Sequence, residues 1–346
     1  MKSIRDFDLL GKRVLVRCDF NVSFNEEGFI ADDFRIRETL PTIELLRSQK
    51  AKIILISHLG EPKGEVVQAL KLDKIQEKLA EYLGCSVSKV EDCVGPEVES
   101  RVLKMSEGEI LLLENVRFHK EEEQNDRGFA KKLSALGDVF CNDAFSVSHR
   151  NHASVTGIPE FLPSGIGLLL EKEVRTLSKF LENPLHPFVV IAGGKKVKDK
   201  LSFIEHIVDL ADFVLLGNLL SEEAKKQNMA LQNSKKVIMS VDGGLDIGPK
   251  TIQLFIEKIK NAKSIFWTGP LGWVEKKEYR NGSLAIANAI GESKAFAIAG
   301  GGDIGSFLDE YNFTEKFSYI STGGGATLEF LAGEQLPGLK VLGYYG

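Results

Sequence analysis

YISTGGGATLEFL, residues 319–331, sets a short apolar run, three consecutive glycines and the apolar spacing of a helix side by side. Glycine costs a helix roughly 0.5–1 kcal/mol against alanine, so three at a helix start need a physical reason. A tight strand-to-helix turn needs only one or two. Bare amides at a helix N-terminus, helped by the macrodipole, form a site for an anion. From this stretch alone the two readings stand level, but both describe one strand–turn–helix unit. The same unit recurs along the chain. RVLVRCDF (13–20), AKIILISHLG (51–60), EILLLENVRF (109–118) and GDVFCNDAF (137–145) read as strands. So do FVVIAGG (188–194), DFVLLGN (212–218), KVIMSVD (236–242), SIFWTGP (264–270), FAIAGGG (296–302) and FSYISTGGG (317–325). Runs apolar on both faces suit a parallel sheet covered by helices. Segments between them, such as TLPTIELLRSQ (39–49) and PKTIQLFIEKIKNA (249–262), carry helical spacing. Alternation of this kind predicts an α/β fold of doubly wound parallel sheets.

The 346 residues exceed one comfortable core, so two domains are expected. A net charge of −5 and a pI near 5.8 argue against a nucleic-acid partner, so any anion site is a local basic cluster. The opening MKSIRDFDLLGKR lacks the apolar core of a signal peptide, and no apolar run approaches the 18 residues that span a bilayer. Cys18, Cys85, Cys93 and Cys141 are widely spread and read as reduced thiols, and neither HExxH nor CxxC occurs. A cytoplasmic protein without membrane or nucleic-acid partners is expected.

The strand ends differ between the halves. In the first they carry Arg17, Asp19, Asn21, His58, Arg117, His119, Asn142 and Asp143; in the second they carry Gly193–Gly194, Gly300–Gly302 and Gly323–Gly325. Ligands of open α/β sheets bind beyond the carboxyl ends of strands, so each half builds its own site. Between them SGIGLLLEKEVRTLSKFLENPLHPF (164–188) reads as one helix followed by a proline-punctuated linker, which places the domain boundary. Three glycine junctions together favour phosphate over mere tight turns. Gly300, Gly302 and Gly305 also match GxGxxG, but far too late in the chain for an opening βαβ unit, and no GxxxxGK[ST] occurs. Lys195, Lys196, Lys198 and Lys200 in GGKKVKDK (193–200) are either a solvated charged face or neutralise phosphates beyond the glycines. Asp303 either caps a helix or holds Mg²⁺ that bridges those phosphates. Arg17, Arg35, Arg37, His58, Lys63, Arg117, His119, Arg150 and His152 supply forks for a small anion, with Arg37 read as solvated. Asp19 and Asn21 orient those arginines, bind substrate hydroxyls, or cap the core.

RCDFNV (17–22), DDFRIRETLPTIELL (32–46), SHLGEPKG (57–64), LLLENVRFH (111–119), NDAFSVSHRNHAS (142–154), LLLEKE (168–173), GGKKVKDK, GLDIGPKT (244–251), TGPLGWVE (268–275), AGGGDIGSFL (299–308) and STGGGATLEFLAGEQLPG (321–338) follow in order along nearly the whole chain. Together they resemble the phosphoglycerate kinase family. The resemblance implies two Rossmann-like domains, with a 3-phosphoglycerate-binding domain over 1–165 and a C-terminal tail, 332–346, packing back on it. A hinge helix and linker would occupy 166–185 and a shortened nucleotide-binding domain 186–331. The reaction implied is reversible phosphoryl transfer between 1,3-bisphosphoglycerate and ADP, giving 3-phosphoglycerate and ATP, by a monomer. Asp19, Phe20, Asn21, Arg35, His58, Leu59, Gly60, Glu61, Arg117 and Arg150 would bind the phosphoglycerate. Arg35, Lys196, Lys200 and Gly323, Gly324 and Gly325 would act on the transferred group. Lys200, Gly301, Gly302, Asp303 and Ile304 would hold the nucleotide, Glu275 its ribose, and Asp303 its Mg²⁺.

The chemistry implied needs no general base, because the nucleophile is a carboxylate or phosphate oxygen already ionised at pH 7. It needs charge stabilisation and in-line positioning. Four features depart from the family pattern. Glu61 stands where Arg is usual, Ile304 replaces Thr, and Thr268 replaces Asn. The family's glycine-rich turn appears as LLGNLLSEEAKKQ (215–227), after which GLDIGPKT arrives several dozen residues early. The missing stretch normally helps to wall the adenine. Phosphate handling is therefore retained and base binding reduced, which sets two rivals beside the kinase: a phosphoglycerate-binding homologue without turnover, or one of altered nucleotide choice. A nicotinamide dehydrogenase built on GxGxxG is disfavoured by Asp303 inside the motif.

Overall fold

The computed structural model describes residues 1–194, 197–226 and 234–345, without the side chains of 197–199 and 201. It divides into two compact units: Met1–Val174 together with the C-terminal stretch from Gln335, and Arg175–Glu334. Each contains one six-stranded parallel sheet.

In unit 1 the strands are β1 (Arg13–Arg17), β2 (Lys52–Ile56), β3 (Val87–Lys89), β4 (Ile110–Leu112), β5 (Val139–Asn142) and β6 (Ser164–Ile166), in the order β3-β4-β2-β1-β5-β6. Helices α1 (Phe34–Ser48), α2 (Asp73–Leu83), α3 (Pro96–Leu103), α4 (Lys120–Glu123), α5 (Arg127–Ser134) and α6 (Leu168–Glu182) join them, and the unit boundary falls inside α6. Successive side chains of a strand face opposite ways, and here both faces are buried. Val14, Val16, Ile53 and Leu55 pack with Ile36, Ile43, Ile75 and Leu79 on one face. Leu15, Ile54, Ile56 and Phe140 pack with Val102, Phe129 and Leu133 on the other. The helices are written locally. In α2 the buried residues are Ile75, Leu79 and Leu83, one stripe at a spacing of four, and Gly84 ends it in the left-handed conformation at φ 58°.

Unit 2 holds β7 (Phe188–Ala192), β8 (Phe213–Leu216), β9 (Val237–Met239), β10 (Ser264–Thr268), β11 (Phe296–Gly300) and β12 (Tyr319–Ser321), in the order β12-β11-β10-β7-β8-β9. Its helices are α7 (Val197–Ile207), α8 (Asn218–Lys226), α9 (Pro249–Ile259), α10 (Asn281–Glu292), α11 (Gly302–Glu310) and α12 (Gly325–Leu331). Helix α13 (Pro337–Lys340) belongs to unit 1.

All ten strands expected from the apolar runs are present, each shorter than its run because the polar or glycine end of the run is the loop beyond the strand. Two strands are additions. Both are three-residue strands at a sheet edge, β3 and β6. The stretch from Ser164 is therefore not helical at its start: Ser164–Ile166 pairs with β5, and Ile166 donates its amide to the Lys2 carbonyl at 2.9 Å. That pairing is long-range and leaves no local periodicity to read.

Candidate active site

In both sheets the chain adds strands in one direction from a central strand and then returns to the other side. The reversal lies between β1 and β5 in unit 1 and between β7 and β10 in unit 2. In doubly wound sheets ligands bind beyond the carboxyl ends of the strands at such a point.

At that edge of unit 1, β1 runs into Cys18–Asn21, β2 into Ser57–Gly60, β4 into Leu113–Arg117 and β5 into Asp143. Asp19 is almost fully buried and organises the loops. Its Oδ2 pairs with Arg35 Nη1 at 3.0 Å and accepts from Ser146 Oγ, while its Oδ1 accepts from the Asn21 amide at 3.0 Å. Burial alone would raise the carboxyl pKa. The Arg35 guanidinium, His58 and these hydrogen bonds outweigh it and hold Asp19 well below the usual carboxylate range. Arg35 Nη1 also donates to the Asn21 carbonyl at 3.0 Å, and Asn21 Oδ1 accepts from the Gly60 amide at 2.8 Å. Arg117 Nη1 donates to the Gly60 carbonyl at 2.9 Å. The Phe20 amide donates to Ser57 Oγ, and Asn115 Nδ2 to the Leu59 carbonyl. Asp19, Phe20, Asn21, Arg35, His58, Leu59, Gly60 and Arg117 thus form one hydrogen-bonded constellation. Arg150 and Glu61 are exposed in loops beside it. Arg37 pairs instead with Asp33 at 2.7 Å. His119 pairs with Asp92 at 2.7 Å, which raises its pKa, and with the buried Cys93 thiol forms the one cluster of metal-type donors among the described residues.

At the same edge of unit 2, four neighbouring strands end in glycine turns. Gly194 follows β7 at φ 84°, Gly269 follows β10 at φ 69°, Gly301 follows β11 at φ 123° and Gly324 follows β12 at φ 54°. Lys200, in α7, is buried and donates Nζ to the Gly193 carbonyl. Both Gly194 and Gly269 have left-handed φ, which favours glycine, and a Cβ at either would also meet the Lys200 ammonium, with the Gly193 carbonyl equally close to Gly269. The reversal point of the sheet therefore carries a fixed positive charge among backbone amides. Asp303 is exposed in the first turn of α11 and has no ion-pair partner among the described residues. Ile304, beside it, is fully buried. The Gly323 amide donates to Ser321 Oγ at 3.1 Å, and Ser321 Oγ lies 2.7 Å from Thr327 Oγ1, tying the triplet to its strand and helix. Glu275 is exposed after β10. Lys195 and Lys196 lie outside the described residues, as does the side chain of Lys198.

The shortened segment has its own closure. Asn218, the first residue of α8, donates Nδ2 to the carbonyls of Gly244 at 3.0 Å and Asp246 at 2.7 Å. Asp246 Oδ2 in turn accepts the Gly282 amide at the start of α10, at 2.8 Å. Residues 227–233 of this segment lie outside those described. Sequence reasoning missed Asn218, Ser57, Ser146 and the buried Glu122 and Ser154. Each is a single polar residue whose partner lies far along the chain, so nothing local marks it.

Comparison with known proteins finds one family along nearly the whole chain. The family model for phosphoglycerate kinase matches residues 4–222 and 218–334, in two pieces that meet at the start of α8. A phosphoglycerate kinase of Dictyoglomus turgidum is 43% identical over 387 aligned positions, covering 98% of this chain and 97% of that one. One of Pelotomaculum thermopropionicum is 41% identical over 388 positions, covering 99% and 98%. Both alignments are longer than the 346 residues here, so the chain is shorter than its relatives while spanning them end to end. Among solved structures, phosphoglycerate kinase from Pyrococcus horikoshii superposes with a TM-score of 0.86 at 29% identity, covering 99% and 98%. That from Coxiella burnetii superposes at 0.81 and 32%, covering 98% of each chain. With both matches of the family model and near-complete relatives above 40% identity, the chain belongs to the phosphoglycerate kinase family.

Proposed function

We propose that the two units divide the family's phosphoryl transfer between them, with residues 166–185 as the hinge. Unit 1 takes 3-phosphoglycerate or 1,3-bisphosphoglycerate, and unit 2 takes ADP or ATP with its Mg²⁺. The observation that supports this division is the contrast between the two carboxyl edges, charged side chains in one and glycine amides around Lys200 in the other. Asp19, Phe20, Asn21, His58, Leu59, Gly60, Glu61, Arg117 and Arg150 line the phosphoglycerate side, with Arg35 fixed by Asp19 so that its charge is in place before the substrate arrives. Lys196, Lys200 and Gly323–Gly325 meet the transferred group and nucleotide phosphates, and Gly301, Gly302 and Ile304 lie beside them. Asp303 fits a metal that arrives already bound to phosphates: it is one exposed carboxylate, too few ligands for a resident ion. Glu275 reaches the ribose.

Transfer between a carboxylate and a phosphate oxygen requires no proton to be removed at neutral pH. What the side chains supply is charge stabilisation and alignment, the terms that dominate phosphoryl transfer. In this reading the protein acts as a cytoplasmic monomer.

A coupled assay of 3-phosphoglycerate phosphorylation with MgATP tests the reading. Turnover is expected. Silence at high enzyme concentration, with phosphoglycerate still bound, would mark a binding protein that no longer transfers.

A further inference from the structure

Arg17, the last residue of β1, looks from its position like one more anion ligand. Its side chain is fully buried, and three of its nitrogens are committed to protein. Nε donates to Ser154 Oγ at 2.8 Å, Nη1 to the Cys18 carbonyl, and Nη2 lies 3.2 Å from His58 Nδ1. Behind it sits Glu122 of α4, also fully buried, whose Oε1 accepts from Ser154 Oγ at 2.5 Å and whose Oε2 accepts from the Ser154 amide at 2.9 Å. The hydroxyl of Ser154 has one proton, and Glu122 takes it. Ser154 Oγ is thereby left as acceptor for Arg17, so every bond in the chain Arg17–Ser154–Glu122 has one direction.

The bonds to Ser154 and Cys18 hold Arg17 in place, and that placement has a consequence at His58. A guanidinium only donates, so His58 Nδ1 must accept, and the ring proton is on Nε2. Asp19 Oδ1 is the competing partner for an Nδ1 proton, but it lies 3.8 Å away, beyond hydrogen-bond reach, and already accepts from the Asn21 amide. We propose that Glu122, Ser154 and Arg17 form a buried positioning relay that holds His58 in its neutral Nε2–H tautomer, a fixed hydrogen-bond donor to phosphoglycerate. Arg17 and Glu122 are then positioning residues that never touch substrate. The inference rests on the reading that places His58 in the phosphoglycerate pocket.

The surrounding charges agree. Burial, together with Arg17, Arg117 and Arg35, disfavours a second proton on His58, and only Asp19 opposes them. Glu122 faces Arg17, Arg117 and His152, whose Nδ1 is 3.8 Å from Oε1. Burial dominates and leaves the Glu122 pKa raised, against the pull of Arg17 and the two Ser154 hydrogen bonds. Replacing that carboxylate by an amide removes the counter-charge beside Arg17 and frees the Ser154 hydroxyl to turn, so that Nη2 is no longer held against His58 Nδ1.

Long-range ¹H–¹⁵N NMR of the imidazoles in the full-length protein between pH 5.5 and 8.5 tests the relay directly. The expected result is a His58 with a pyridine-type Nδ1 and a protonated Nε2, unchanged across the range. A protonated Nδ1, or a His58 that titrates there, overturns the proposal without any variant. Glu122→Gln and Ser154→Ala should each introduce the other tautomer and raise KM for 3-phosphoglycerate about tenfold, the worth of one hydrogen bond. KM for the nucleotide and kcat should stay within about twofold, since the lost bond is one of uniform binding. An unchanged tautomer in both variants, with far-UV circular dichroism intact, overturns the relay. A shifted tautomer with unchanged KM would leave the relay standing and overturn the placement of His58 in the pocket.

Discussion

At the scale of single residues, the two cations at the carboxyl edges differ in how they are held. Arg35 is paired with Asp19, and Lys200 is wedged between two glycine turns. Both are held in place by the protein itself, and in the proposed reading they act on charge that develops during transfer. Arg35→Ala and Lys200→Ala should each lower kcat by about 10²-fold or more with a smaller change in KM. Wild-type kcat in either variant would remove that residue from the chemistry. Gly324 argues differently. Nothing lies within 4 Å of where its Cβ would be, so space is not the constraint; its φ of 54° with ψ −114° is. Gly324→Val should therefore abolish transfer while leaving far-UV circular dichroism and phosphoglycerate binding near wild type. Loss of that binding would mark the triplet as a folding element. A third residue, His152, links stability to pH. Burial, then Arg117 and Arg17, lower the His152 pKa to about 3, against about 6.5 unfolded. Between those values the unfolded chain binds the extra proton, so this contribution to stability is whole above pH 6.5 and is lost as the pH falls towards 3. At pH 5 the loss is at most about 2 kcal/mol. Urea unfolding at pH 7 and pH 5 should show a smaller difference for His152→Gln than for wild type.

At the scale of elements, the segment from β8 through α8 to α9 decides how ordinary a family member this is. The family model breaks at 218–222, and there Asn218 ties the start of α8 to the loop carrying Leu245 and Asp246. Leu219, Val241 and Leu245 are 47–62% exposed nearby. An enzyme with little apolar wall has little surface with which to tell one base from another, whereas amides, lysines and Mg²⁺ act on phosphates common to all nucleotides. KM for GTP should lie within about tenfold of KM for ATP, or roughly 1.4 kcal/mol, with strong dependence on Mg²⁺. A preference for ATP above about a hundredfold, measured under identical Mg²⁺, would mean that other residues have rebuilt a base pocket.

At the scale of the whole molecule, the end of the chain is part of the first unit. Leu336 and Leu339 are fully buried, and Gly338 donates its amide to the Ser148 carbonyl at 2.8 Å. A Cβ at Gly338 would press on Ser148 and Val155. Ser148 lies in the same loop as Ser146, which holds Asp19, so the tail braces the loop behind Asp19. Leu339→Ala should cost about 2–4 kcal/mol. Both tryptophans, Trp267 and Trp273, belong to unit 2. The unfolding midpoint by circular dichroism should therefore fall further than the midpoint by tryptophan fluorescence; equal shifts would show that the tail stabilises more than its own unit. No helix among the described residues is long and apolar enough to cross a membrane.

The sequence by itself determined ten of the twelve strands, the α/β class and the contrast between charged and glycine-rich strand ends. Apolar runs, helical spacing and glycine punctuation are local, and both faces of each sheet demand the same residue types. It also marked Asp19, Arg35, His58, Lys200 and the glycine triplet, because their residue types are costly or conspicuous where they stand. Only the tertiary structure decided the edge strands β3 and β6, the pairing of Arg37 with Asp33, and the burial of Arg17, which its position among the arginines conceals. The same holds for Ser146, Ser154, Glu122 and Asn218. Their work depends on partners 32 to 137 positions away for Ser154 and 127 for Ser146. A hydrogen bond that closes so long a loop is specified by how the sheet stacks its strands, and no pattern along the chain records it.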